Sequence, residues 1–238
     1  MKRGSLRRTV FLALTVAGPE SVRSVAAQTG PTVIAILPFE DRGSYGQDKE
    51  VFRALTLGIP ATLASELRGH GNLRLADPAQ VIRSLKDQGL GPKAQVDAAT
   101  AARVAEQVGA RYAITGTFAD FYGTFRLDGR IIDAKSGQII RVVTNSDPKL
   151  QDRADLYRII QMVAHKTLAE VSPAALRSGS PQAEMRAIPT PALTQYSLGL
   201  MYEGQGDRKK ASEHYDQAVT VLPDYPEAKD GLRRVRDR

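Results

Sequence analysis

The sequence predicts an α/β fold, in the α+β sense of a mixed sheet with flanking helices, followed by a small all-α helical hairpin. Three observations predict this fold. Pro31 precedes a continuous apolar run, Thr32–Phe39, which is typical of a strand buried on both faces. From Tyr112 onward the apolar period shortens from about 3.6 to about 2, as in strands with one wet face. After Ala192, small and aromatic residues recur at helical spacing.

The first domain is predicted to span residues 32–171. A helix that includes Leu55 and Leu67 follows the first strand, and Asp77 and Asp97 each precede a further helix, since aspartate can accept hydrogen bonds from the free amides of a first turn. The element order β-α-β-α-α-β-β-β-α predicts helices on at least one face of the sheet. The later predicted elements are the strands Leu73–Leu75, Tyr112–Phe121, Phe125–Asp133 and Gln138–Thr144 and the helix Asp155–Val171.

Residues 1–27 are predicted to form a secretory signal peptide. Basic residues precede the apolar run Thr9–Gly18, and small residues follow around Ala26, which is the three-part plan of such a segment. The apolar run is shorter than the roughly 20 residues of a membrane-spanning helix. We expect cleavage after Ala26 or Ala27, with an uncleaved anchor or a disordered basic tail as alternatives. The basic residues are Lys2, Arg3, Arg7 and Arg8.

Charge and composition exclude several classes of protein. The formal net charge is +7, but residues 1–27 carry +4 of it, which leaves +3 for the mature protein. That charge is too small to indicate nucleic-acid binding. Cysteine is absent, which excludes disulfides, thiolate zinc sites and a cysteine-anchored lipid. We expect a periplasmic protein, and peripheral contact with the outer membrane stays open.

Residues 172–190 are predicted to form a linker between two domains. Three prolines and the run Ser178–Ser180 disfavour regular structure there. We therefore expect independent motion of the two parts. The second part, residues 191–238, is predicted to contain a helical hairpin and a C-terminal capping helix from Glu227 to Arg238.

The segment from Ala192 to Tyr225 resembles one tetratricopeptide repeat. Small residues stand where two antiparallel helices of that motif approach closely, and a proline stands at its proline position. These structural positions are Gly199, Ala211, Ala218 and Pro223.

The same resemblance implies a concave groove that binds a segment of another protein. The residues predicted for this groove are Tyr202, Tyr215, Gln195 and Leu198. A single repeat cannot bury both of its faces. Four candidates could cover the remaining face of the repeat: the capping helix, the first domain, a second copy of the chain or another protein. Docking on the first domain would make the hairpin structural instead of partner-binding.

Four blocks of the first domain share an order and spacing with a known family: Ile34–Asp41, Leu63–Leu67, Ala110–Thr117 and Gly129–Ile140. They resemble the CsgG/HfaB family and the related TolB N-terminal-type domains. The resemblance implies an envelope protein associated with outer-membrane machinery and, in the curli-secretion branch, a ring-shaped pore. The links Tyr122–Thr124 and Ala134–Gly137 have no room for membrane strands of about 9 to 11 residues. An accessory role is therefore favoured over a pore.

No pattern in the sequence predicts a catalytic, cofactor-binding or metal site. The three histidines lack the nearby second ligand that zinc requires. Glu40 and Asp41 are adjacent on a strand, so their side chains point to opposite faces and cannot share acid–base work. The arginines at the C-terminus favour a helix end, with contact to acidic protein or anionic lipid as the alternative. The histidines are His70, His165 and His214, and the C-terminal arginines are Arg233, Arg234, Arg236 and Arg238.

The sequence thus predicts a non-enzymatic, exported protein that binds other envelope or secreted proteins during assembly or secretion. One alternative is a subunit of an oligomeric outer-membrane secretion channel. Another is an enzyme whose site is assembled from dispersed residues. Homo-oligomerisation stays open in each case.

Overall fold

The computed structural model describes residues 30–90, 95–145, 151–173 and 186–237. The predicted signal peptide and most of the predicted linker lie outside these residues. Within the described ranges, no helix combines the length and the apolar composition that crossing a membrane requires.

Five strands form a mixed sheet: β1 (Thr32–Asp41), β2 (Leu73–Leu75), β3 (Tyr112–Phe121), β4 (Thr124–Asp133) and β5 (Ile139–Thr144). The strand order is β2-β1-β3-β4-β5. β1 pairs in parallel with β2 and β3, whereas β3, β4 and β5 form an antiparallel meander. The predicted mixed sheet is confirmed, and β5 lies at one of its edges.

Helices cover both faces of the sheet: α1 (Lys49–Leu67), α2 (Pro78–Asp87), α3 (Ala98–Gln107) and α4 (Leu156–Val171), with a short 3-10 helix, Arg153–Asp155, before α4. α1 and α4 pack on the face that carries Ile34 and Ile114, and α2 and α3 pack on the face that carries Ala35 and Ala113. Neighbouring residues of one strand enter different cores because side chains alternate across a strand. The continuous apolar run of β1 serves both faces.

Two helices begin with the predicted aspartate caps. The carboxylate of Asp77 accepts a hydrogen bond from the backbone N–H of Ala79 at 2.9 Å, and that of Asp97 accepts one from Thr100 at 2.7 Å. Hydrogen bonds from the side chain and backbone of Thr100 lower the pKa of Asp97. Pro60 lies inside α1.

Three helices form the C-terminal part: α5 (Thr190–Gln205), α6 (Arg208–Val221) and α7 (Pro226–Arg236). α5 and α6 make the hairpin. α7 packs on both of them, in the place predicted for a capping helix.

The hairpin docks on the first domain through α5, which packs along α1. Gly58 of α1 lies so close to Ser197 of α5 that a Cβ at position 58 would overlap the serine side chain. One apolar cluster runs from the sheet through α1 into the hairpin. In the structure, the first domain and the capping helix cover the hairpin; both were among the candidates that the sequence left open. This shared core opposes the independent motion expected from the linker composition.

Candidate protein-binding surface

The small residues of the hairpin surround one tyrosine. Tyr215 is fully buried, and a Cβ on either Gly199 or Gly231 would overlap its ring. Ala211 and Ala218 are fully buried as well. Close helix approach therefore depends on these small side chains, because any larger one would have to move the tyrosine.

The hydroxyl of Tyr215 has an internal partner. It donates a hydrogen bond to Glu203 at 2.6 Å, and the same carboxylate accepts bonds from Arg234 at 3.0 and 2.9 Å. Burial raises the pKa of Tyr215 above its ordinary value of 10, so its phenol stays a hydrogen-bond donor even in alkaline solution. The hydrogen bonds of Tyr215 and Arg234 to Glu203 hold α5, α6 and α7 together. Pro223 is exposed, just beyond the end of α6.

The other residues predicted for the hairpin groove also contact their own chain. Tyr202 stacks on His214 with ring centroids 5.3 Å apart, and its hydroxyl donates to Glu50 of α1. Gln195 lies 2.7 Å from Nδ1 of His214, and Leu198 is buried. Their partner-binding role stays a prediction. In this arrangement a partner would have to displace the existing contacts.

A cluster of charged side chains, which we call the docking clamp, consists of Glu66 on α1, Arg186 before α5 and Glu227 on α7. Arg186 donates two hydrogen bonds to Glu227, at 2.9 and 2.7 Å, and lies 3.8 Å from Glu66. Tyr157 of α4 donates to Glu66 at 2.8 Å. The Glu66 side chain is only 3% exposed. The clamp therefore joins the hairpin to the first domain through a buried charge network.

Burial opposes the charged forms in the docking clamp, but the hydrogen bonds outweigh it. Bonds from Arg186 and Ser65 lower the pKa of Glu227 in spite of that burial. The bond to Glu227 likewise raises the pKa of Arg186. Arg186 thus keeps Glu227 ionised, and removing Arg186 would leave the carboxylates of Glu66 and Glu227 without a cation.

Part of the sheet face that carries α2 and α3 is uncovered. These helices pack over the end of the face that holds Ala35, Ala113 and Ile132. The other end forms an open depression with a volume of about 450 Å³. We call this region the open sheet surface and define it by six of its lining residues: Arg42, Thr117, Phe121, Arg126, Arg130 and Val142.

Three aromatic rings lie at one end of the open sheet surface and form what we call the aromatic tip. Tyr45, Phe121 and Tyr122 are 54%, 47% and 86% exposed. The ring of Tyr45 lies 5.7 Å from that of Phe121 and 6.2 Å from that of Tyr122. The ring of Tyr45 therefore stacks on that of Tyr122 and is tilted against that of Phe121, while all three residues stay exposed to solvent.

The turn that carries the aromatic tip breaks a local sequence rule. Tyr122 and Gly123 form the two-residue link between β3 and β4, and both have positive φ, at 53° and 97°. Asn, Asp and Gly predominate at such positions because a bulky side chain is strained there. Tyr122 is the one residue other than glycine with positive φ among those described. The fold therefore holds an exposed tyrosine where a smaller residue would fit better.

Exposed apolar side chains are concentrated on this side of the molecule. Apart from Val221 on α6, the exposed large apolar side chains among the described residues belong to the aromatic tip or to β5. Exposed apolar residues that are concentrated in one region are a feature of protein-interaction sites. The exposed apolar residues of this region are Tyr45, Phe121, Tyr122, Ile139, Ile140 and Val142.

The open sheet surface presents cations outward and carboxylates inward. The side chains of Arg42 and Arg126 are 59% and 68% exposed, whereas their partners Glu40 and Asp128 are 16% and 22% exposed. Arg130 makes no ion pair within the described ranges. An approaching molecule would therefore meet guanidinium groups first.

Glu40 and Asp41 serve different loops. Glu40 accepts a hydrogen bond from the backbone N–H of Val96 at 3.0 Å, and Asp41 accepts one from that of Ser44 at 2.8 Å. β1 pairs Glu40 with Thr117 and Asp41 with Phe118, on opposite faces of the sheet. Each carboxylate has a structural role where it lies.

Comparison with known proteins gives a likeness of fold only. No family model and no curated protein matches the chain. The C-terminal domain of LpoB from Escherichia coli is 19% identical over 49% of this chain and 82% of its own, with a TM-score of 0.37. E. coli LpoB is 15% identical over 60% of this chain and 81% of its own, with a TM-score of 0.40. TolB from Acinetobacter baumannii is 16% identical over 62% of this chain and 29% of its own, with a TM-score of 0.34. Since every TM-score is below 0.5, the function must be inferred from the chain's own residues.

The predicted membership of the CsgG/HfaB family is wrong. No family model matches, and the similar solved structures named above are LpoB and TolB proteins. The physical reason is that three of the four blocks are strands with their turns, and the fourth, Leu63–Leu67, is the end of helix α1. For example, Ile34–Asp41 lies within β1 and Ala110–Thr117 leads into β3. Such blocks specify a mixed sheet, which many unrelated families share.

The open sheet surface was not among the sites predicted from the sequence. Two signals for it were present. Phe121 and Tyr122 place aromatic rings at a hairpin turn where small or polar residues are usual. The strand Ile139–Thr144 contains four apolar residues without the alternation expected for one wet face. Which helices cover which half of a sheet face depends on tertiary packing, and no local pattern encodes it.

Proposed function

We propose that this chain is an exported, non-enzymatic protein of the bacterial cell envelope that binds another protein through the open sheet surface and the aromatic tip. The three-part N-terminal segment supports export. The absence of any catalytic motif in the sequence supports a binding role. The exposed rings and guanidinium groups support a protein partner, because aromatic residues and arginine are enriched in protein interfaces.

The conformation of Tyr122 is the observation that carries this proposal. Tyr122 is 86% exposed, so it adds little to the core. Its left-handed backbone costs about 1 kcal/mol compared with asparagine or glycine at the same position. A residue that strains the fold without stabilising it is best explained by a contact outside the chain.

Site-specific photo-crosslinking tests the proposal. The photoreactive amino acid p-benzoylphenylalanine would replace Tyr122 in the full chain, produced in its native cells. The matched control is the same replacement at Val221, which is also exposed but lies on α6. We expect a crosslink from position 122 to a different protein and none from position 221. Equal crosslinking at both positions, or none at position 122, would contradict the proposal.

Export has a separate test. The mass of the protein recovered from the periplasmic fraction should correspond to a chain that begins at Ala27 or Gln28. A full-length chain found only in the cytoplasm would contradict the envelope location and leave the binding surface to the crosslinking test.

A further inference from the structure

We propose that the partner contributes an extended segment, with carboxylates at alternate positions, that pairs with β5 as a sixth strand of the sheet. This inference rests on the proposed function and names the chemistry of the partner. In this mode, backbone hydrogen bonds supply affinity and alternate side chains supply specificity. The carboxylates would lie on the same face as Arg126 and Arg130.

The pairing of β5 leaves backbone groups available at its outer edge. Asn145 donates its backbone N–H to Leu127 of β4, and Val143 and Arg141 stand opposite Gly129 and Ile131. In an antiparallel ladder, residues alternate between bonding the neighbouring strand and facing away from it. From Arg141 onward, the odd-numbered residues of β5 therefore bond β4. The N–H and C=O of Val142, which lies between them, face the free edge.

β5 is protected as an edge strand only in part: Lys166 of α4 donates a hydrogen bond to the C=O of Thr144 at 2.7 Å, and the pairing shifts at the start of the strand, so the accessible part of the edge is centred on Val142. Natural edge strands carry lysine, proline, bulges or inward-pointing charges that prevent pairing with another chain. β5 has the sequence IIRVVT, with an irregularity of pairing only at its start. Its one charge, Arg141, is paired with Glu170 of α4 at 2.9 Å. Ile140 and Val142 are 47% and 53% exposed. Such an edge is a template for a further strand.

The charge of the surface selects the partner's chemistry. Val142 is paired with Arg130 in the sheet, and both line the open depression. A sixth strand would lie about 10 Å from β4, which is two strand spacings. An arginine and a glutamate side chain together span that distance across Val142. A carboxylate there would give Arg130 a counter-charge.

A second copy of this chain fits the edge less well than an acidic partner. If two β5 strands paired with each other, each would present the sequence IIRVVT, which contains no carboxylate. Arg130 would then gain no counter-charge, and the cationic surfaces of the two copies would lie side by side. The charge pattern therefore favours a different protein with an acidic extended segment.

The test uses the isotope-labelled mature chain and a synthetic ten-residue peptide of alternating glutamate and valine with blocked termini. A matched peptide carries lysine in place of glutamate. Two further versions of the acidic peptide are N-methylated on its backbone, one at every odd position and one at every even position. Methylation removes strand hydrogen bonds without changing the protein, so a loss of binding cannot arise from misfolding. Affinity is measured by fluorescence anisotropy, and amide exchange of Val142 by NMR.

We expect the acidic peptide to bind and to slow exchange of the Val142 amide. We expect the lysine peptide to bind at least about tenfold more weakly, and one methylated version to lose about tenfold or more while the other is spared. The Arg130→Glu variant should invert the preference between the acidic and the lysine peptide.

Binding that neither methylation weakens would overturn strand addition. Equal affinity for the two charge types would overturn the acidic class, and so would no binding at millimolar acidic peptide. In each of these cases the crosslink from position 122 still decides the proposed function. Failure of the inference and failure of the proposed function are therefore distinguishable.

Discussion

The hairpin and the open sheet surface differ in where their aromatic side chains direct their contacts. In the hairpin, Tyr202 and Tyr215 are buried and their hydroxyls donate to Glu50 and Glu203. At the aromatic tip, which borders the open sheet surface, Tyr122 is 86% exposed. The hairpin holds the more specific sequence motif, yet its motif residues stabilise the chain's own packing.

This difference separates two meanings of a sequence motif. Gly199 and Tyr215 form a motif because two helices can approach only with that pair of sizes, so the pattern reports on packing. A binding surface needs exposed rings and available charges, and it can tolerate strain. Such features violate local rules instead of forming regular patterns.

Removing Arg186 should produce the largest loss of stability. Arg186→Met would leave Glu66 and Glu227 buried without a cation, so we expect a loss of about 3 kcal/mol in the free energy of unfolding. Arg233→Met is the matched control, because Arg233 is exposed and pairs with Asp230 one turn away on α7; its loss should stay below about 0.5 kcal/mol. Urea unfolding measures both. Equal losses would show that the clamp does not hold the hairpin.

A second comparison uses two glycines of α5. Gly199→Ala should destabilise the protein by roughly 2 kcal/mol, because the new Cβ would overlap the buried ring of Tyr215. Gly204→Ala adds the same methyl group where no atom lies within 4 Å, so it should stabilise the helix by roughly 0.5 to 1 kcal/mol. Midpoints of chemical unfolding distinguish the two signs. Stabilisation by both substitutions would contradict the packing of Tyr215.

The docking clamp should also weaken in acid. The pKa of Glu227 is lowered by folding from its ordinary value of 4.5, so its ionised form stabilises the native state above that pH. This stabilisation is lost as the pH falls below about 4.5 and through the native pKa. We expect the thermal midpoint of the natural chain to fall more steeply there than that of Glu227→Gln. Parallel pH profiles would show that Glu227 is not stabilised in its charged form.

The smallest of the expected effects is a gain in stability at the aromatic tip. Tyr122→Asn should stabilise the fold by roughly 0.5 to 1 kcal/mol, because asparagine tolerates the left-handed conformation of this turn. Tyr45→Asn, a change in the same aromatic tip, is the control and should not stabilise, since Tyr45 is absent from the residues with positive φ. Differential scanning calorimetry of both variants gives the comparison. A destabilised Tyr122→Asn variant would mean that the tyrosine supports the fold.

The sequence predicted the elements of the fold well and the binding surface poorly. The apolar run of β1, the aspartate caps at Asp77 and Asp97 and the change of period at Tyr112 are local signals, and each predicted element formed. The docking of α5 on α1 depends on Gly58 meeting Ser197 across distant parts of the chain. No periodicity reports such a contact.

The candidate surface was missed for a related reason. Arg126, Asp128 and Arg130 alternate with apolar residues of β4, which is the normal pattern of a solvated strand face. Only the placement of α2 and α3 shows that these side chains surround an open depression next to the aromatic tip. The function of an alternating strand therefore depends on what covers its polar face.

The central claim is that the partner contacts the open sheet surface and not the hairpin. The most direct test measures the affinity of the partner identified by crosslinking for two variants, Tyr122→Asn and Gln195→Ala. Tyr122→Asn should weaken binding by at least about tenfold, as expected for an exposed aromatic anchor, although the variant itself is more stable. Gln195→Ala, in the predicted hairpin groove, should leave the affinity within about twofold. Loss of binding in Gln195→Ala with full affinity in Tyr122→Asn would contradict the claim and assign the partner to the hairpin.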